Sequence, residues 1–224
     1  MKNSEGNPNP LSILPQLWPA LFVPLTLYGV SQLGNSAGDV LLGALFFYLI
    51  AFRSDIRSRK LMITLAVLGM IFETANVAAG LYKYGGILGA PVWIALGWAI
   101  LGWWVVQLEP ALGKVQRNAW LVLVSVVIAA AAFLNGSLSL SLPIAIAGLY
   151  VISVSSTRPF GVYAFTALFG VLAEFSGPAA GVWNYFSPSG SGAVVPPDLA
   201  ALALAYASVM AFCSWASGFE PANR

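Results

Sequence analysis

Eight apolar runs occupy most of the chain, at about 11–33, 37–52, 61–82, 90–108, 119–134, 138–155, 160–183 and 197–218. Lipid offers the backbone no hydrogen-bond partners, and only a helix satisfies every N–H and C=O within one segment. A spanning helix needs roughly 20 mostly apolar residues. The runs therefore specify an all-α, polytopic membrane helix bundle of seven or eight transmembrane helices, the second and fifth being short. The charge content agrees: Asp, Glu, Lys and Arg make up 8% of 224 residues, against about 25% in a soluble domain, and the mean hydropathy is +0.83. The connections between runs are too short to hold a second, water-soluble domain.

Residues 1–10, MKNSEGNPNP, are polar and carry prolines. With no basic stretch feeding a short apolar core, they read as a disordered cytoplasmic tail and not as a cleaved signal peptide. Basic residues set the orientation. With a cytoplasmic N-terminus, Lys2, Arg53, Arg57, Arg59, Lys60, Lys114, Arg117, Arg158 and Arg224 all face inward and Lys83 alone faces out. This positive-inside pattern puts both termini in the cytoplasm and suits a plasma (inner) membrane. The net charge of +2 belongs to these flanks, so membrane lipids are the expected surroundings and nucleic acid is not an expected partner.

The residue inventory narrows the chemistry. There is no histidine, and Cys213 is the single cysteine. Zinc, haem, iron–sulfur and disulfide chemistry lack their usual ligands, and so does serine–histidine catalysis. No cofactor and no metal site are expected. No lysine lies mid-span to anchor a Schiff base, and no Asp-rich pair stands ready to hold magnesium against a diphosphate.

The second strong feature is a repeat. At a constant offset of 101 residues, AVLGMIFETANVAAGLYKY (66–84) aligns with ALFGVLAEFSGPAAGVWNY (167–185), with seven of nineteen positions identical. The pairs include Gly69/Gly170, Glu73/Glu174, Gly80/Gly181 and Tyr84/Tyr185. The chain thus divides into a first membrane repeat, 11–118, and a second, 119–224. Each copy lies on the third helix of a four-helix half. Four helices intervene, so the copies run in the same direction and the repeat is parallel. Gly69, Glu73, Gly80 and Tyr84, spaced by four, seven and four, would share one stripe of a continuing helix.

A glutamate in the bilayer core is costly and usually marks a pathway or a site. In a low dielectric the neutral acid is favoured over the carboxylate, so Glu73 and Glu174 read as a proton donor and its partner base. Asn76, one turn beyond Glu73, is a candidate hydrogen-bond partner. Tyr82, Tyr84, Trp183 and Tyr185 are either an interfacial belt or the lining of a pocket. Pro178 is expected to kink the seventh helix beside Glu174. Asp39 reads as a helix cap, and Asp198 as a cap or a lesser acid–base candidate.

Glu73, Gly80, Tyr82, Tyr84, Gly89, Pro91 and Trp98 form E-x6-G-x-Y-x-Y followed by G-x-P and a tryptophan. This pattern resembles the carotenoid-biosynthesis membrane family of the carotenoid hydratase type, and the related small integral-membrane cyclases of lycopene and terpenoids. The second half departs from it, with Trp183 for the first tyrosine, the additional SPSGSGAVVPPD, and no tryptophan equivalent to Trp98. The resemblance implies protonation of an isoprenoid double bond or epoxide by a buried acid. Capture of the cation by water or by an internal alkene would follow, with Tyr82, Tyr84, Trp98, Trp183 and Tyr185 stabilising it and an apolar isoprenoid lipid as substrate.

A small proton-coupled transporter is the other reading of repeated halves and paired carboxyls. It requires a polar path to the glutamates, and LMITLAVLGMIF and FGVYAFTALFGVLA offer little polarity.

Overall fold

The computed structural model describes residues 22–84, 89–136, 140–156, 158–187 and 192–218. The tail at 1–10 and the start of the first apolar run lie outside these residues. Eight helices follow one another among them: α1 (Phe22–Leu33), α2 (Asn35–Tyr48), α3 (Ile56–Ala78), α4 (Val92–Leu112), α5 (Arg117–Leu134), α6 (Ser141–Ser155), α7 (Phe160–Ala179) and α8 (Leu199–Ala216). A π-helical turn, Leu49–Arg53, extends α2. Among the described residues six helices are long and apolar enough to cross a membrane: α2 with its extension, α3, α4, α5, α7 and α8. The chain is an all-α bundle and an integral membrane protein. Leu33, Phe47, Phe52, Val126 and Trp215 point outward from it, as lipid-facing side chains should.

Helix α3 starts at Ile56, five residues before the expected boundary, because Asp55 caps it by accepting from Ser58 N at 2.8 Å. Arg57, Arg59 and Lys60 are therefore on the first turns of the helix and not in a loop.

The larger correction concerns the far ends of α3 and α7, which stop at Ala78 and Ala179 where the sequence suggested 82 and 183. Gly80 and Gly181 sit at φ +74° and +70°, a conformation open to glycine at little cost. Gly80 N donates to Val77 O and Leu81 N to Asn76 O; Gly181 N donates to Pro178 O and Val182 N to Gly177 O, at 3.0–3.1 Å. Both ends are thus closed by the same Schellman motif. The stripe expected from Gly69 to Tyr84 does not continue, since the second glycine of each copy ends its helix. Pro178 falls in the last turn of α7, where it helps terminate the helix instead of kinking a longer one.

Beyond these glycines the chain turns back as short strands, β1 (Tyr82–Tyr84), β2 (Trp183–Phe186) and β3 (Val194–Val195), in the order β1–β2–β3 with antiparallel pairing. Lys83 lies opposite Asn184, its equivalent at the offset of 101, with Tyr82 opposite Tyr185 and Tyr84 opposite Trp183. The register pairs a strand antiparallel with its own copy, as a two-fold relation between the halves would. Within each half α3 packs on α4 and α7 on α8; between halves α4 packs on α7 and α3 on α8. The four helices form the centre, with the strands across one end.

At the opposite end Arg57 and Arg158, also 101 residues apart, converge on Glu109 of α4. Arg57 Nη2 lies 2.6 Å from Glu109 Oε2, and Arg158 Nη1 lies 3.0 Å from Oε1. One carboxylate thus receives both copies of a repeated arginine. Between this cluster and the strands the interior is mainly apolar: Leu61, Leu65, Val105, Val162 and Met210 are fully buried, and the buried Thr166 spends its hydroxyl on Val162 O of its own helix.

Candidate functional site

Glu73 and Glu174 each lie five residues before the last residue of their helix. The Schellman turn brings the following strand back over that last turn, so the aromatic side chains of the strand face the carboxyl that precedes it. Tyr82 and Tyr84 both donate to Glu73 Oε2, the latter at 3.0 Å, and Trp98 Nε1 donates to Oε1 at 3.3 Å. Glu174 Oε2 accepts from Trp183 Nε1 at 3.1 Å and Tyr185 Oη at 2.5 Å, and Oε1 accepts from Tyr206 Oη at 2.9 Å. All of these groups are buried. The aromatics are buried around the two carboxyls and do not form an exposed belt.

Tyr206 fills the place the sequence left empty. It stands on α8 as Trp98 stands on α4, and the two rings stack at 4.6 Å with an interplanar angle of 27°. Each ring presses on the first glycine of a repeat. A Cβ at Gly69 would stand 2.5 Å from Trp98 Cγ, and one at Gly170 would stand 2.4 Å from Tyr206 Cγ. The small-residue face therefore admits an aromatic side chain from the neighbouring helix, and that side chain holds the glutamate one turn further on.

A second exchange explains why Trp183 replaces the tyrosine of the first half. Its ring lies against Gly177, whose equivalent is Asn76. The donors to Glu73 are Tyr82, Tyr84 and Trp98, and Asn76 does not line the cavity. The larger ring goes with glycine and the smaller with asparagine. A Cβ at Gly177 would be 2.0–2.4 Å from the Trp183 ring, which is itself fixed by Glu174, Tyr84 and Trp93. Gly177→Ala is accordingly expected to cost about 1–3 kcal/mol by overpacking and to pull the indole from Glu174. Unfolding in detergent and the Trp fluorescence spectrum, compared with Ala179→Gly as a control in the same turn, would check this; an unchanged protein would contradict the packing.

Both carboxyls line one cavity of about 100 Å³, together with Tyr84, Trp93, Trp98, Trp104, Trp183 and Tyr206, aliphatic side chains of α2 and α4, Phe169 of α7, and Thr26 and Leu27 of α1. Of the residues expected at the site, Glu73, Glu174, Tyr84, Trp98 and Trp183 touch this cavity. Tyr82 and Tyr185 hold the carboxyls from behind, with their rings 5.2 Å apart.

Asp198 is elsewhere. It caps α8 by accepting from Ala201 N at 3.1 Å and ties that helix to α6 by accepting from Ser141 Oγ at 2.8 Å, so its acid–base candidacy is withdrawn. Asp39 does the corresponding work in the first half, accepting from Trp93 N of α4 at 2.8 Å. Asp198→Ala should lower stability by about 0.5–2 kcal/mol, as loss of a helix cap does, and leave the aromatic environment of the cavity unchanged. Unfolding titration and near-UV circular dichroism separate the two effects.

Sequence reasoning missed Trp93, Tyr206 and Thr26 at the cavity. Trp93 carried a signal in the G-x-P that precedes it. Among the described residues no cluster of His, Cys, Asp and Glu is placed to hold a metal ion.

Fold and site define a polytopic α-helical membrane protein in which two repeat-related glutamates share an aromatic-walled cavity. The chain belongs to the family described as "Protein of unknown function (DUF2878)", which matches residues 29–141 and so takes in Glu73 and its aromatic partners. No curated protein and no solved structure matches the chain.

Proposed function

We propose that this protein is an integral-membrane enzyme that protonates a double bond or epoxide of an apolar isoprenoid and lets water or an internal alkene capture the cation. The observation that carries this reading is the convergence of Glu73 and Glu174 on one cavity whose other walls are aromatic and aliphatic.

The step balances without a cofactor. One carboxylic acid gives its proton to an alkene carbon, or to an epoxide oxygen whose C–O bond then breaks, and becomes a carboxylate, leaving a tertiary cation. Water then bonds to the cation and yields a proton to the second glutamate, or an internal alkene closes a ring and a neighbouring carbon yields its proton to that glutamate. Trp93, Trp98, Trp183, Tyr84 and Tyr206 line the cavity, and an aromatic face turned to a nearby cation is worth about 0.5–2 kcal/mol. The three hydrogen bonds to each glutamate stabilise the carboxylate left behind, so the donors favour the charge that develops. An indole N–H can only donate, whereas a phenol O–H donates or accepts; the shell accommodates either protonation state without moving its rings.

A cavity of about 100 Å³ is somewhat smaller than the roughly 150 Å³ that encloses benzene. That is about the size of one branched five-carbon unit, the part of the substrate that receives the proton. The alternative of a proton-coupled transporter needs a polar path from the basic end. Leu61, Leu65, Val105, Val162 and Met210 fill that interval, which favours the enzyme. The basic end is read as cytoplasmic and the membrane as the plasma membrane.

The test is expression in a bacterial host that accumulates lycopene and its linear relatives, followed by mass spectrometry of extracted lipids. An isomer of a precursor, or a product heavier by one water, is expected. If carotenoid precursors, shorter terpenoids and squalene-like epoxides all came through unchanged with abundant folded protein, the reading would be wrong.

A further inference from the structure

Thr26, on α1, lines the same cavity and is 3% exposed, yet its hydroxyl has no hydrogen-bond partner. A threonine within a helix ordinarily returns its hydroxyl to the carbonyl three or four residues back. Thr166 of α7 does this, donating to Val162 O at 2.9 Å. A buried hydroxyl left unpaired is costly, so the orphan at Thr26 calls for a partner that occupies the cavity.

The repeat isolates the feature. Helices α1 and α5 end at Leu33 and Leu134, an offset of 101, and at that offset the counterpart of Thr26 is Val127. Valine has nearly the shape of threonine without the hydroxyl. The two halves differ here by one polar atom, and it lies on the side where the cavity has formed. The other polar groups on the cavity wall are already engaged: Glu73 and Glu174 by their aromatic donors, and Trp93 Nε1 by Asn35 at 3.0 Å.

We propose that Thr26 is a ligand-binding residue whose hydroxyl bonds an oxygen atom of the ligand, so that the occupant of the cavity is an oxygenated isoprenoid, an alcohol or epoxide, and not a pure hydrocarbon. The proposal narrows the substrate class given above and rests on the cavity being a ligand site, though not on the protonation step.

The test reads binding alone. Full-length protein in detergent is titrated with 3-methylbut-2-en-1-ol and with 2-methylpent-2-ene, in which a methyl group replaces the hydroxyl. Quenching of the cavity tryptophans is followed for wild type, Thr26→Ser and Thr26→Val. Wild type and Thr26→Ser are expected to bind the alcohol about tenfold more tightly than Thr26→Val does, the effect of one neutral hydrogen bond, while the hydrocarbon binds all three alike. Equal affinity of wild type and Thr26→Val for the alcohol would overturn the proposal, as would failure of the alcohol to quench wild type. Because turnover is not measured, an inactive enzyme that still discriminates the probes leaves Thr26 assigned and refutes only the protonation chemistry.

Discussion

Glu73→Gln and Glu174→Gln are each expected to leave the bundle folded and to lower product formation by about 10²–10⁴-fold, the usual contribution of a general acid or base. Folding survives because each amide fits its shell in one orientation. At position 73 the amide oxygen faces Trp98 Nε1, which can only donate, and the NH₂ faces Tyr82 and Tyr84, whose hydroxyls rotate to accept. At position 174 the oxygen takes the bonds from Trp183 and Tyr185, and the NH₂ turns to Tyr206. The hydrogen-bond count is nearly kept, and what disappears is the transferable proton. Product per folded protein, measured by mass spectrometry alongside near-UV circular dichroism, is the readout. A folded variant within about tenfold of wild type at either position would remove that glutamate from the chemistry, since acid–base catalysis is worth more than this.

Much of this architecture was legible in the sequence, for reasons specific to membranes. Lipid forces the backbone into helices long enough to be counted, so eight apolar runs became eight helices. The offset of 101 was legible because Glu73 and Glu174 are conspicuous in apolar surroundings. The ends of α3 and α7 were not legible. Hydropathy does not distinguish a helix from a strand once both are buried, so Leu81–Tyr84 and Val182–Tyr185 read as further helical turns. Gly80 and Gly181 fall on the same helical stripe as Gly69 and Gly170, and spacing alone does not separate a glycine inside a helix from one whose left-handed φ ends it. Helical spacing brought Tyr84 and Tyr185 to the correct face by a mistaken route: a reversal of the chain, not a continued helix, returns them to the glutamates.

Tyr206 was invisible for a different reason. The insertion after β2 shifts α8 out of the constant offset, so no alignment by spacing could set it beside Trp98. Only the stacking of the two rings at the junction of the halves reveals the correspondence. The same shift leaves Glu109 without an acidic equivalent: at the spacing that sets Trp98 beside Tyr206, its place is taken by Ser217. The repeat supplies two arginines to the basic end, and one carboxylate serves both.

That arrangement yields the largest stability effect expected. Glu109→Ala should destabilise the bundle by about 3–5 kcal/mol, the cost of removing one member of a buried ionic cluster, because it leaves Arg57 and Arg158 facing each other with their shared counter-charge gone. Arg158 has a side chain only 4% exposed and Arg57 one 25% exposed, so Arg158 carries more of the penalty and Arg57 can turn toward water and headgroups. The order of effects follows. Arg57→Ala should cost least, because Glu109 keeps its bond to Arg158, and Glu109→Ala most. Adding Arg158→Met to the Glu109→Met background should recover most of the loss, since well-packed apolar residues of similar volume commonly match or exceed the stability of the ions they replace. Reversible unfolding in mixed micelles, with denaturing detergent as the variable, measures each step. Recovery in the double variant would mean that the cluster is an electrostatic lock between the halves, whose removal leaves the packing sound. If Glu109→Ala were within about 1 kcal/mol of wild type, as exposed ion pairs are, the two arginines would be paired as well by lipid headgroups, and the halves would be held together by the apolar core and the strand pairing alone.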